Sequence, residues 1–381
     1  MLRGSLLALM LLICMPQAWA LERPGVTFKV FQFPPDEIPR IDGDDSDWAM
    51  VPDSYAIGLD QLVDTEAAGG HGTHRDPKDL DVKVKVGWVK GLNRLYVLYE
   101  AYDNYWDFSR LDLHNDIFEF VVDGDASGGP LVDVYHRDVW SQERQGAMSI
   151  VDPRISRSEE YFHFDGDQAQ NYHIFTPPGD KDWAMVYGCA QYVKELPYAN
   201  HAYHYHFKPG QSGKLVLEFY ITPFDYAGCE GPQRAVESHL RENEIIGISW
   251  AVIDYDDVNS DKRHFWNLSH VQTFFGNASQ LVAFRLMPLE QRFRKPIQAA
   301  WSDTIVDRAR RLVYFKDESS GRVSTWHWDF GDGTSSTEPN PTHQYQDTRP
   351  GYPSTYTVIL TVKGPAGTSR LAKVWQVHLP G

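Results

Sequence analysis

The sequence predicts an all-β protein made of two successive sandwiches, and three observations predict it. Apolar and polar residues alternate through most of the apolar-rich stretches, which is the period of a half-buried strand. Aromatic residues are abundant, with 12 Trp, 20 Tyr and 19 Phe, as β-proteins and sugar-binding surfaces both use them. Long helical periodicity is scarce, and Arg234–Arg241 is expected to form only a short surface helix.

Residues 1–20 read as a secretory signal. Arg3 gives the positive start, Ser5 to Met15 the apolar stretch, and Ala18-Trp19-Ala20 the small-x-small cleavage site. The stretch is too short for a membrane anchor, and no other segment approaches the ~18 uncharged apolar residues of a span. Cys14 follows Ile13, where a lipoprotein would carry a small residue. The expected product is therefore cleaved after Ala20 and is secreted, periplasmic or held at the cell surface. In Ile41–Pro52 (IDGDDSDWAMVP) an acidic turn runs into Trp48, expected in the core. Asp42, Asp44, Asp45 and Asp47 suit turn carboxylates that accept backbone N–H bonds better than a calcium shell.

Strands are expected at Asp81–Trp88, Leu95–Tyr102, Ile117–Val122, Leu215–Ile221, Ile245–Ile253 and Leu281–Leu286, all rich in β-branched and aromatic residues. Between Gly129 and Lys214 lies a long irregular region rich in aromatic, His and Asp residues, expected as elaborated loops around the sandwich. Leu286–Pro296 carries charge and two prolines and marks a boundary. The division is thus a first domain over 21–289, a linker over 290–295 and a second domain over 296–381.

Lys and Arg number 36 against 52 Asp and Glu, a net charge of −16. Such a surface repels nucleic acid and anionic lipid. It suits Ca²⁺, a hard ion that prefers oxygen ligands. Beyond the signal, Cys189 and Cys229 either pair, as an oxidising compartment favours, or sit as two separate thiols.

The acidic turn Ile41–Pro52, then Leu95–Asn104 (LYVLYEAYDN), then Asn115–Asp125 (NDIFEFVVDGD) together resemble the family 9 carbohydrate-binding modules, β-sandwiches that bind sugars outside the cell. The resemblance implies a binding protein with structural calcium. Candidate ligands are Asp103 and Asn104 at the end of one strand, Asp116 at the start of the next, and Asp123 and Asp125 in the glycine-rich turn after it. Asp254 and Asp256 sit in a third acidic loop. The family's sugar-sandwiching Trp positions fall near Leu113 and Ser269, where this chain has no Trp. Trp106, Trp140 and Trp183 are the platforms expected instead, while Trp266 is expected to be structural. Further on, Trp326–Gly333 (WHWDFGDG), Pro339-Asn-Pro341 and Tyr356–Val362 resemble the PKD domain, an immunoglobulin-like sandwich. That resemblance implies a spacer or protein-interaction module without chemistry. Trp328 and Phe330 should share one face, with Asp329 and Asp332 capping the turn.

Catalysis finds little support. A glycosidase needs two carboxylates a few ångström apart in a cleft. Glu159-Glu160 reads as a solvated edge, and there is no Gly-x-Ser-x-Gly elbow and no phosphate loop. His204 and His206 face the same way on a strand, where two imidazoles either ligate a transition metal or simply pack; packing is the expectation. The reading is an exported, non-catalytic carbohydrate-binding protein associated with polysaccharide recognition or breakdown. Its partners would be a polysaccharide or oligosaccharide and a protein docked on the PKD domain. The alternatives are a polysaccharide hydrolase or lyase using 129–214, and an adhesion or scaffold protein that binds no sugar.

Overall fold

The computed structural model describes residues 21–66, 72–111, 113–129, 131, 166–188, 190–228, 231–259, 263–294, 296–346 and 354–377. The signal segment, Trp140, Cys189 and Cys229 lie outside the described residues.

In the N-terminal part the strands are β1 (Glu22–Gln32), β2 (Ile57–Gly58), β3 (Val63–Asp64), β4 (Leu80–Trp88), β5 (Leu95–Asp103), β6 (Ile117–Asp123), β7 (Gln170–Phe175) and β8 (Ala184–Val186). They continue with β9 (Ala199–Tyr205), β10 (Gly213–Ile221), β11 (Phe224–Tyr226), β12 (Val236–Glu237), β13 (Ile245–Asp254), β14 (His264–Asn267) and β15 (Val282–Leu286). The alternating segments read from the sequence are β4, β5, β6, β10, β13 and β15, to within a residue or two at each end. Arg234–Arg241 is a correction: it holds the short strand β12, paired with β11, rather than a helix.

The order along the strands is β8-β7-β6-β13-β15-β1-β4-β5-β10-β9. Two sheets meet at β1. Its middle runs parallel to β15, with Phe28 opposite Phe284, and its last residues run parallel to β4, with Phe31 opposite Gly87. The first sheet is therefore β8-β7-β6-β13-β15-β1 and the second is β1-β4-β5-β10-β9.

The inner faces pack on each other through large aromatics. Tyr99 stacks on Phe118 with ring centres 4.4 Å apart, and Phe120 meets Phe219 edge-on at 5.7 Å. Strands buried on both faces keep the period of two but make both phases apolar. In β6, Phe118, Phe120 and Val122 point into the central core, while Ile117 and Val121 belong to a second cluster on the outer side with Ile253 and Phe265. Trp48 seals the outer face of the second sheet against Phe33 and donates its indole N–H to Glu218 Oε1 at 2.9 Å. Asp44 caps the turn by accepting from Ser46 N, as expected of a turn carboxylate.

The C-terminal strands are β16 (Trp301–Asp307), β17 (Leu312–Asp317), β18 (Thr325–Asp329), β19 (Ser335–Ser336), β20 (Thr342–Gln344), β21 (Ser354–Gly364) and β22 (Gly367–Val377). They form sheets of order β16-β17-β20 and β19-β18-β21-β22. Trp328 and Phe330 are buried together in a core of their own with Trp301, Phe315, Val358 and Leu360. Asp329 accepts from Gly331 N and Asp332 from Thr334 N, so both cap the turn between β18 and β19.

Trp48→Ala should remove the buried indole and one partner of the buried Glu218, destabilising the N-terminal domain by about 3–5 kcal/mol. Hydrogen exchange in a urea series should show peptides from 21–286 losing protection at lower urea while those from 301–374 keep theirs. An equal shift in both would mean that the two cores unfold as one.

Candidate functional site

Two polar constellations stand out, and both are built by strand register. The first lies where β5 ends, β6 begins and β13 ends. Asp103, Asp116 and Asp254 are buried, and one carboxylate oxygen of each lies within 4.8 Å of the others. Asp254 also belongs to a second such group with Asp79 and Asp256. The pairing explains the convergence. Ile117 opposes Ile253 and Leu80 opposes Asp103, so residues 116, 254, 79 and 103 are brought to one end of the sandwich.

The surrounding backbone is tied to these carboxylates. Asp116 accepts from Asp107 N at 2.6 Å and Tyr255 N at 2.9 Å, and Asp103 accepts from Tyr105 N at 2.8 Å. Asp254 Oδ1 is buried and has no hydrogen-bond partner among the described residues. Burial pushes Asp103 up to about 7, with the charge of Asp256 adding to the shift. Burial, and then the neighbouring carboxylates, hold Asp116 and Asp254 well above the usual carboxylate range. Asp256 is raised too, by burial and by Asp79. His264, whose imidazole bonds Asp64 Oδ2 at 2.9 Å, opposes the rise at Asp256.

Carboxylates so placed must either take up protons or share a cation. The donor set is all oxygen, and an orphaned buried oxygen points to a missing partner. Both features fit a hard divalent ion such as Ca²⁺, which tolerates an irregular shell of carboxylates.

The structure brings together Asp103, Asp116, Asp254 and Asp256 from the sequence expectation. It adds Asp79, which had no signal beyond one more acid before β4. Asn104 is a helper rather than a member of either carboxylate group: its backbone N–H and side-chain amide both donate to Asp79. Asp123 and Asp125 are elsewhere. Asp123 is the last residue of β6 and Asp125 lies in the turn after it, about 20 Å away at the rise of a strand, where Asp123 accepts from Gly128 N and Asp125 from Ser127 N.

The second constellation lies on the outer face of the first sheet. Across β13, β6 and β7, one row reads Ser249–Val121–Asn171 and the next Ala251–Glu119–His173. By the period of two, Ser249, Glu119, Asn171 and His173 all face outward. All four are buried. Asn171 Nδ2 donates to Glu119 Oε1 at 2.9 Å and to the carbonyl of Phe275 at 3.2 Å. Among the described residues, Asn171 Oδ1, both ring nitrogens of His173 and Ser249 Oγ make no hydrogen bond, although His173 Nδ1 lies 3.8 Å from Glu119 Oε2. Aromatic edges close in around His173, with Phe175 at 5.9 Å and Tyr187 at 6.1 Å. The Phe275 ring, at 39% exposure, is open to solvent. Sequence reasoning missed this group because each polar residue stands alone inside an apolar strand pattern.

Two of the three expected aromatic platforms, Trp106 and Trp183, are corrected. Trp106 is 1% exposed and its ring stacks on Phe207 at 4.9 Å, with its N–H on the carbonyl of Gly213. Trp183 is 4% exposed, stacked on His201 at 4.7 Å, with its N–H on the carbonyl of Lys194. Both are core side chains, with a face and the N–H already taken. Trp266 is buried, as expected of a structural residue.

The PKD domain family model matches residues 294–378. Residues 294–378 are a PKD domain. A stretch of 48 residues is 54% identical to collagenase ColA of Bacillus cereus; it is 13% of this chain and spans only 4% of the collagenase's length. The PKD1 domain of the Vibrio cholerae metalloprotease PrtV is 26% identical, covering 21% of this chain and 95% of its own, with a TM-score of 0.19. A family 9 carbohydrate-binding module from Caldicellulosiruptor kristjanssonii, solved with cellotriose, is 14% identical, covering 70% of this chain and 96% of its own, with a TM-score of 0.42.

The signs at the carboxylate cluster are opposite with and without a cation. Raised carboxylate values mean that the metal-free fold holds protons that the unfolded chain has released. The contribution is fully present below about 4 and is lost as pH rises through about 7, the Asp103 value. The metal-free domain should therefore lose thermal stability from pH 4 to 7, and calcium should restore it at neutral pH. Asp254→Asn should be neutral or stabilising in EDTA and should abolish the calcium-induced rise in Tm, read by scanning calorimetry.

Proposed function

We propose that this chain is an exported, non-catalytic carbohydrate-binding protein, with its saccharide site on the outer face of the first sheet and a structural Ca²⁺ at the carboxylate cluster. The observation that carries the proposal is the set of buried polar atoms on Asn171, His173 and Ser249 that make no hydrogen bond among the described residues, gathered around Glu119, whose Oε2 lies 3.8 Å from His173 Nδ1. Buried polar groups of native proteins find partners. A carboxylate, an amide, an imidazole and a hydroxyl on one face supply the mixed donors and acceptors that sugar hydroxyls require. Phe275, next to Asn171, adds an apolar surface for the C–H face of a pyranose.

Calcium belongs to this reading as a stiffener. Asp116 precedes β6 and Glu119 lies three residues further along the same strand, about 10 Å away. A cation at Asp116 would fix the strand end from which the proposed sugar-binding row is built. The signal-like segment 1–20 supports export, and the PKD domain would act as spacer or docking surface. An association with polysaccharide breakdown rests on the family resemblance of the sequence.

A panel of neutral and acidic oligosaccharides, screened with the mature chain in calcium and then in EDTA, tests the proposal. Binding to one saccharide class is expected, weakened by EDTA and lowered at least about tenfold by His173→Ala or Asn171→Ala, a loss of about 1.4 kcal/mol. Trp106→Ala should instead lower Tm. No binding by folded protein, or binding untouched by both site variants, would refute the site. Release of reducing sugar would move the reading to a hydrolase.

A further inference from the structure

Residues 290–295 are expected from the sequence as a linker, yet most of that segment is bound to the N-terminal domain. Met287 and Phe293 pack against the apolar cluster of Phe31, Phe33, Leu92 and Tyr96 on the outer face of the second sheet. The Met287 carbonyl accepts from the Trp88 indole at 3.0 Å. Glu290 accepts from the Tyr55 hydroxyl at 3.2 Å and from Arg292 Nε at 2.8 Å, and Arg292 also donates to the Met50 carbonyl at 2.8 Å. Arg294 Nε donates to the Leu289 carbonyl at 2.9 Å. Ile297 is already buried in the core of the PKD domain. Residues 295 and 296 alone separate the two anchored segments, and two residues span at most about 7 Å. A flexible spacer needs a longer free chain.

The PKD domain touches the same apolar cluster. In β22 Leu371 belongs to the PKD core, so by the period of two Ala372 and Val374 face away from it. Both pack against the cluster that contains Phe33 and Leu92. Lys373, between them, holds its ammonium 4.5 Å from the centre of the Trp301 ring and donates to the Trp301 carbonyl. Its stem meets the turn between β4 and β5. Gly91 there has φ +89°, and a Cβ on it would lie 2.9 Å from Lys373 Cε and 3.1 Å from Cγ. Beside this contact the two domains stand apart around a cleft of about 890 Å³, with Gln32 and Leu240 on one wall and Trp301 and Glu318 on the other. The contact is therefore narrow, and two substitutions can open it.

We infer that the PKD domain is a rigid buttress, docked through β22 on the outer face of the second sheet, and not a swinging spacer. Relative motion is the default where little besides a linker joins two domains. Here the connecting segment is bonded to the N-terminal domain as far as Arg294, and the facing residues of β22 are apolar. β22 is thereby closed to a protein partner, which must use another face of the PKD domain. The docking does not depend on a saccharide bound to the N-terminal domain, and it narrows the proposed spacer role to that of a fixed arm.

Amide NMR relaxation of the mature chain reads the tumbling of each domain separately. Amides of both domains in the parent should share one rotational correlation time. Ala372→Glu combined with Val374→Glu should free the PKD domain and shorten its correlation time at least about twofold, toward that of a body of single-domain size. Trypsin should cut after Arg292 and Arg294 at least about tenfold faster in that double variant, because the segment then opens without its cover. Retained hydrogen-exchange protection at Trp328 and Val358 would show its PKD core to be intact. Ile305→Glu combined with Val306→Glu, at exposed positions of β16, should tumble and be cut as the parent is. Separate correlation times in the parent, a β22 double variant that tumbles and is cut like the parent, or an equal effect of the β16 pair would overturn the inference.

Discussion

Asp103, Asp116 and Asp254 close three strands of the N-terminal domain on one buried point. Three carboxylates in so small a volume cannot all be ionised without a compensating charge. At an effective dielectric constant of about 20, each like-charged pair at this separation costs roughly 3–4 kcal/mol. Three such pairs approach the entire stability of a typical domain, about 5–15 kcal/mol. Protons or a cation must therefore be part of the folded state, and the choice between them sets how firmly the strand ends are held. The loops after β5 and β13 feel it directly, since Asp116 accepts from the N–H groups of Asp107 and Tyr255.

The same strand links that constraint to the proposed binding face. β6 begins beside Asp116, carries Glu119 outward in the row with His173, and passes Phe118 and Phe120 inward to the aromatic core. A strand buried on both faces has no freedom to rotate, because a one-residue slip would turn Glu119 into the core and Phe118 out of it. The polar row is thus placed by packing from below and by the carboxylate cluster from its end. The second sheet has its own anchor in Glu218, which collects the Trp48 indole and two N–H groups of the acidic turn.

The sequence disclosed what strand period and turn chemistry control. Alternation marked β4, β5, β6, β10, β13 and β15, and the Trp-x-Phe-Gly-Asp-Gly run marked the PKD turn with its capping aspartates. β1 escaped notice because it serves two sheets and its parallel partners are remote in the chain, β15 lying some 250 residues later. Asp79 escaped because its role comes from hairpin register, Leu80 opposing Asp103, and not from any local motif. Trp106 and Trp183 are core residues rather than platforms, and loop position alone does not reveal Phe207 and His201 stacked on them. Glu119, Asn171 and His173 become a group only once β6 and β7 pair, and a lone polar residue in an apolar strand carries no sign of its cross-strand neighbour.

The most direct test of the account is the number of protons released when calcium binds near pH 6, obtained by titration calorimetry in buffers of different ionisation enthalpy. If burial keeps Asp103, Asp116 and Asp254 protonated until a cation arrives, binding must expel protons. At least one proton should be released per calcium, falling as pH rises above 7. Calcium binding with no proton release at pH 6, or no calcium binding at all by the folded domain, would contradict it.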